Sequence, residues 1–405
     1  MVNDLPRKGK KKCICNVNIL LDHITRKPDR LDRATINDIR LNLFTERNSN
    51  GTGFLILRGK DIEDRFATRI NDTDIEAICR YVTQSPKKIT MIDLSYNRIT
   101  DIGFFRLLKK LLIKSRSSVT HLNIMNNRLT EVSICNLAKY ARFVKLQQLR
   151  LNGNKFGTKG GEYFANFLCD NITVEYCDIG ETSQTLTSVA QIITALRIDY
   201  GANKTLKALD FSRVIPLFNR YSYETKWLAY HIEYLLERNS TLLELHLQKN
   251  EFISHDVEYI VRGLRKNNCI THLDLGYNNI GDYGIELIAK YLAEGPQLMT
   301  LNVAGNNIRD VGARALNLLN TIKKSLALRV LNIWGNKIGN ATCVVLDRMF
   351  KSGVLHQRTT DIRLYEVDEV LYAAYYPSNR EKHIYYDELE FGKAQPIYHI
   401  TRNKV

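Results

Sequence analysis

The sequence predicts an α/β solenoid: a horseshoe with parallel strands on its concave face and helices on its convex face. The prediction rests first on a nine-residue pattern, apolar-x-x-apolar-x-apolar-x-x-Asn, that recurs seven times. Outside one irregular gap, the asparagines of these copies lie 30, 27, 28, 28 and 30 residues apart. Between copies, apolar residues fall at helical spacing.

The copies are Ile89, Ile92, Leu94, Asn97; Val119, Leu122, Ile124, Asn127; Leu146, Leu149, Leu151, Asn154; Leu242, Leu245, Leu247, Asn250; Ile270, Leu273, Leu275, Asn278; Leu298, Leu301, Val303, Asn306; and Leu328, Leu331, Ile333, Asn336. Apolar-x-apolar is a short strand with both apolar side chains on one face. The asparagine stands where the chain turns, and its amide can bond backbone groups that the turn leaves unpaired. Stacked turns then form an asparagine ladder. In residues 282–293, Ile285, Ile288, Ala289 and Leu292 form one apolar helix stripe, and residues 101–112 and 310–319 are similar. Gly103, Gly284 and Gly312 recur early in these helices, where a missing side chain lets the neighbouring repeat approach.

The middle repeats are degenerate. Val174, Cys177 and Ile179 keep the register with Thr182 in the asparagine place, and Leu206, Leu209 and Phe211 keep it with Val214 there. An extra stretch follows over residues 215–223. Leu55-Ile56-Leu57 starts the stack ahead of an insertion at residues 61–69, which makes about ten strands within residues 51–350. Residues 1–12 are expected to be a basic disordered tail and residues 13–50 a helical N-terminal cap, patterned by Ile36, Ile39 and Leu43. Residues 351–405 form a tyrosine-rich C-terminal cap with strand-like runs at 369–375 and 382–386, including Tyr385, Tyr386 and, later, Tyr398.

The chain has 405 residues and a net charge of +15, which favours acidic partners or RNA. It has no apolar run of about 18 residues, so no membrane span is expected. The eight scattered cysteines fit reduced, buried thiols, and Cys13-Ile14-Cys15 is not a zinc spacing. No phosphate-binding glycine loop, zinc-protease motif or nucleophile elbow occurs, so no catalytic residue, metal or cofactor is assigned. The candidate contact residues are strand positions facing the groove: Asp93, Asn123, Arg150, Asp178, Asp210, His246, Asp274, Asn302, Asn332 and Trp334. A central aromatic-basic loop adds Arg213, Phe218, Arg220, Tyr221 and Trp227. Trp334 is a candidate interface anchor. The run Arg7, Lys8, Lys10, Lys11 and Lys12 has the composition of a nuclear or nucleolar import signal.

The chain resembles the ribonuclease-inhibitor-type leucine-rich-repeat family. The narrowest signature is Ile333-Trp334-Gly335-Asn336-Lys337, then Ala341-Thr342-Cys343, a short helix to Gly353, Thr360-Asp361 and Val370-Leu371-Tyr372. Leu57-Arg58-Gly59, Ile70-Asn71-Asp72-Thr73-Asp74-Ile75 and the central Ser212-Arg213-Val214-Ile215 add to it. The resemblance implies a leucine-rich-repeat solenoid and a non-enzymatic scaffold of nucleus, nucleolus and cytoplasm. It further implies a link to germ-cell or stem-cell differentiation and ribosome biogenesis. Protein partners, among them ribosome-assembly factors, are expected, with RNA contacted indirectly and the chain monomeric. Two other readings share the repeat class: a Ran-type GTPase-activating protein, which usually carries a long acidic tail, and a structural component of cilia or sperm flagella. Inhibition of a basic ribonuclease is disfavoured, because +15 is the wrong sign.

Overall fold

The computed structural model describes residues 35–47, 51–86, 88–200, 203–215, 224–316 and 327–376. Eleven strands form one sheet in strict chain order. Strand β1 (Thr45–Arg47) runs antiparallel to β2 (Gly53–Ile56). From β2 onward every neighbour is parallel: β3 (Ile89–Asp93), β4 (His121–Asn123), β5 (Gln148–Arg150), β6 (Tyr176–Asp178), β7 (Ala208–Asp210), β8 (Glu244–His246), β9 (His272–Asp274), β10 (Thr300–Asn302) and β11 (Val330–Asn332). Helices alternate with the strands, as at Glu131–Lys139, Gly157–Asp170, Thr225–Arg238, Ser254–Lys266 and Gly281–Ala293. A parallel pair requires such a crossover, so this chain order follows from the repeat itself. The core is one continuous stack. Leu94, Ile124, Leu151, Ile179, Phe211, Leu247, Leu275, Val303 and Ile333 are each fully buried, one per repeat.

Two ladders tie repeat to repeat. In the first, Asn154 Nδ2 donates to Ile124 O (3.0 Å) in the preceding repeat and to Leu151 O (2.8 Å) in its own. Its Oδ1 accepts from Asn127 N and Leu129 N, both at 3.2 Å. Asn127, Asn278, Asn306 and Asn336 bond in the same manner. The second ladder lies at the helix N-termini. Asp101 accepts from Thr130 N (2.9 Å) and Thr130 Oγ1 (2.7 Å) of the following repeat. Asp72, Asp282 and Asp310 likewise accept from the backbone N–H of Thr100, Arg309 and Gly339. A carboxylate there satisfies orphan N–H groups and meets the positive end of the helix dipole. Gly312 permits this closeness, since a Cβ on it would lie 2.5 Å from Asp282 Cα.

Several expectations change. The extra stretch at residues 61–69 is not a loop: most of it lies in a helix, Gly59–Phe66, that buries Ile62 and precedes a second helix, Ile75–Gln84, in the same repeat. The described part of the N-terminal cap, residues 35–47, is a short helix (Asp38–Leu43) followed by an edge strand. Ile36 is buried as expected, together with Leu41 and Phe44, whereas Ile39 and Leu43 are exposed. The C-terminal cap contains the helix Asn340–Lys351 and an antiparallel hairpin, β12 (Ile362–Val367) with β13 (Val370–Tyr375). The run at 382–386 and Tyr398 lie outside the described residues. Cys79, Cys177 and Cys343 are buried free thiols, but Cys135 is disulfide-bonded. No described helix is long and apolar enough to cross a membrane.

Candidate functional site

Strand register brings nine of the ten groove candidates into one column: Asp93, Asn123, Arg150, Asp178, Asp210, His246, Asp274, Asn302 and Asn332. The column is less open than expected. Asp93, Asn123, Asp178, His246, Asp274 and Asn332 are all buried, and Arg150, Asp210 and Asn302 are half-buried. Neighbouring strands stand about 4.8 Å apart, so each side chain covers the next.

Most of the acids and amides have a local task. Asp93, Asn123, Asp178, Asp210, Asp274 and Asn302 each accept from the backbone N–H two residues ahead, at 2.8–3.2 Å. This Asx geometry turns the chain out of the strand. It demands a short side chain ending in an oxygen, which explains acids inside a basic protein. Asn332 breaks the pattern. The N–H of Trp334, two residues on, is taken by the Asp361 carboxylate at 3.1 Å, and the buried Asn332 Oδ1 has no hydrogen-bond partner.

Charges in the column are paired. Arg58 Nε lies 2.9 Å from Asp93, and Arg150 Nε lies 3.5 Å from Asp178. His246 sits between two carboxylates, with Nε2 2.7 Å from Glu244 Oε1 and Nδ1 3.6 Å from Asp274 Oδ2. Burial opposes a charge on His246, but hydrogen bonds to Asp274 and Glu244 and the field of Asp210 overcome it and raise its pKa well above 6.5. Burial, aided by Asp210, pushes Asp178 up to about 7 against the opposing pull of Arg150.

A third row, invisible to the repeat pattern, lines the rim. The residue just before each ladder position has positive φ: Tyr96, Asn126, Gly153, Glu181, Arg213, Lys249, Tyr277, Gly305 and Gly335. Only three are glycine, so six repeats hold a side chain in a left-handed conformation that costs roughly 1–2 kcal/mol each. Tyr96 and Tyr277 are strongly exposed there.

The row ends at a cavity of about 130 Å³ on the C-terminal part of the groove. Its polar surface includes His272, Thr300, Asn302 and Asn332, and Tyr277, Trp334 and Tyr375 supply aromatic faces. Trp334 and Tyr375 rings lie 5.5 Å apart at 36°. Trp334 therefore packs against the tyrosine-rich cap and still exposes 37% of its surface. Asp361 holds the strand end that carries it, accepting from Ile333 N at 2.8 Å. Tyr277 carried no signal in the sequence, and Tyr375 was legible only as one tyrosine of the cap run. The Thr360-Asp361 pair was visible only as part of the cap signature.

The central loop is divided. Arg213 joins the rim row and pairs with Glu181 at 3.5 Å. Trp227 is exposed on the first turn of helix Thr225–Arg238. Phe218, Arg220 and Tyr221 lie outside the described residues, as do Arg7, Lys8, Lys10, Lys11 and Lys12.

Comparison with known proteins agrees with the repeat. A family model described as "Leucine Rich repeat" matches residues 144–165, 266–289 and 296–316. Leucine-rich repeat-containing protein 34 of Mus musculus is 35% identical over 75 residues, and that of Rattus norvegicus 32%. Each alignment spans 18% of this chain and 18% of the relative, so the chain matches under a fifth of those proteins' length. Among solved structures, the chain is similar to an internalin from Listeria monocytogenes (TM-score 0.38, 16% identity, 77% of this chain and 79% of that one). It is also similar to a chain in the yeast Rad7 and Elc1 complex (TM-score 0.44, 16% identity, 73% and 67%).

Proposed function

We propose that this leucine-rich-repeat protein is a non-enzymatic scaffold that binds a partner protein at the C-terminal end of its groove. The observation that carries the reading is the aromatic group Tyr277, Trp334 and Tyr375, partly exposed around a concave pocket. Large, rigid aromatics around a pocket are the residues that dominate binding energy at protein interfaces. The buried column beneath them supplies a preorganised floor, and left-handed strain kept at Tyr277 is the kind that persists at ligand-contacting sites. The groove holds acids already engaged in turns and ion pairs, and among the described residues no group of metal-binding side chains.

On the family resemblance, we extend the proposal to a nucleolar and cytoplasmic scaffold of germ or stem cells that attends ribosome assembly. The test is a native pull-down of the full chain from testis or stem-cell extract, with and without RNase, read by mass spectrometry. Ribosome-assembly proteins are expected with either treatment. Trp334→Ala is expected to weaken their capture by about 2 kcal/mol, roughly thirty-fold. Recovery of Ran or axonemal proteins instead would overturn the cellular assignment, and capture unchanged by Trp334→Ala would move the contact elsewhere.

A further inference from the structure

We infer that the pocket formed by Tyr277, Trp334 and Tyr375 receives a single arginine side chain presented by the partner. The inference rests on the scaffold reading and names what its site recognises.

Size is the first argument. Small-molecule and cofactor sites run to roughly 300–1,000 Å³. This cavity is about 130 Å³, the scale of one side chain. The second argument is the wall. Trp334 and Tyr375 pack on each other with ring centroids 5.5 Å apart at 36°, and together with Tyr277 they line the cavity with aromatic surface. A ring face attracts a cation, and a planar guanidinium stacks on it with less loss of hydration than an ammonium. The chain already makes such contacts: at the cap hairpin Arg363 Cζ lies 3.6 Å from the Tyr376 centroid, and on the rim Lys249 Nζ lies 5.6 Å from that of Tyr277.

The third argument is chemical balance. Asp274 and Asp361 border the cavity and Glu244 lies behind it, three acids against two cations, His246 and the Lys249 that sits over the Tyr277 ring. Around the pocket the sign is negative although the whole chain is +15. That contrast suits one arginine on a short segment rather than a polybasic stretch, which the rest of the surface would repel. Finally, Asn332 Oδ1 is a buried acceptor without a donor among the described residues, a state that costs free energy until a donor arrives. Asp361 has displaced it from its usual turn bond, and a small rotation of the amide offers it to a guanidinium N–H.

The experiment uses the full chain with Trp227→Phe, which leaves Trp334 as the single tryptophan of the two. Nα-acetyl-argininamide, the matching lysine amide and the neutral isostere Nα-acetyl-citrullinamide are titrated while Trp334 emission is read. A saturable response to the arginine compound is expected, about tenfold weaker for lysine and absent for citrulline. Asn332→Leu and Tyr375→Ala should each weaken it roughly tenfold with unchanged circular dichroism. If Tyr375→Ala unsettles the cap, Tyr277→Leu reads the opposite wall. No response, an equal response to citrulline, or a response intact in both wall variants overturns the arginine assignment. In that event, Trp334-dependent capture in the pull-down would leave the scaffold reading standing; loss of both would remove both.

Discussion

His246 shows how a single residue can hold opposing demands. It is a buried imidazole whose charge is stabilised by Glu244 and Asp274, so removing it strands two carboxylates in the interior. His246→Ala is expected to cost about 3–5 kcal/mol in denaturant unfolding. A cost below about 1 kcal/mol would mean the pair contributes little. Its folded pKa lies above the unfolded 6.5, so its contribution is whole below that pH and is lost as pH rises through the folded value. Asp178 acts in the same direction over a different window. Its folded value near 7 against 3.8 means that the folded state keeps a proton that the unfolded chain releases, so stability falls as pH rises between those values. Asp178→Asn should therefore gain on the wild type from pH 4 to pH 7; parallel melting curves would refute this. In the rim row, Lys249 has φ +55° where three repeats have glycine. Lys249→Gly should raise stability by about 1 kcal/mol, and a clear loss would show that its contact with the Tyr277 ring outweighs the strain.

The elements owe their spacing to two ladders of unequal visibility. The asparagine ladder was legible because one residue type recurs at one offset from an apolar pattern. Asn154 makes four bonds, two to the preceding repeat's amides and two to carbonyls, and is fully buried. Asn154→Ala is expected to destabilise by roughly 3 kcal/mol, measured by urea unfolding. The aspartate ladder at the helix starts was not legible. Asp101 and Thr130 are 29 residues apart, and acids near helix starts are common for a purely local reason. The same confusion hid the Gly59–Phe66 helix: the segment is mainly polar, and only Ile62 among its apolar side chains is buried.

Across the whole molecule, stability passes from neighbour to neighbour, so a broken rung weakens its surroundings. Thr182 Oγ1 bonds Ile179 O within its own turn and has no amide to reach Leu151 O. Val214 supplies no side-chain hydrogen bond at all, although its N–H still reaches Asn250 Oδ1. Two successive rungs are thus lost near the middle. In hydrogen exchange, turn amides at 151–156 and 179–184 should exchange faster than those at 124–129 and 304–308. Even protection along the stack would show that Gln184, which bonds Thr182 from the side, restores the missing rung.

The sequence by itself determined the solenoid, its strand register and its asparagine ladder, because each repeat writes the same short-range physics at a fixed interval. It also marked Trp334, through the oddity of a tryptophan in a polar row. Tertiary structure alone decided what that row does. Side chains 27 to 36 residues apart become neighbours in the column, and only their proximity buries Asp178, clamps His246 and lets Asp361 take the bond that Asn332 would have made. Burial and charge pairing depend on distance in space, which a repeat period encodes for the backbone but not for the particular side chains that each repeat places there.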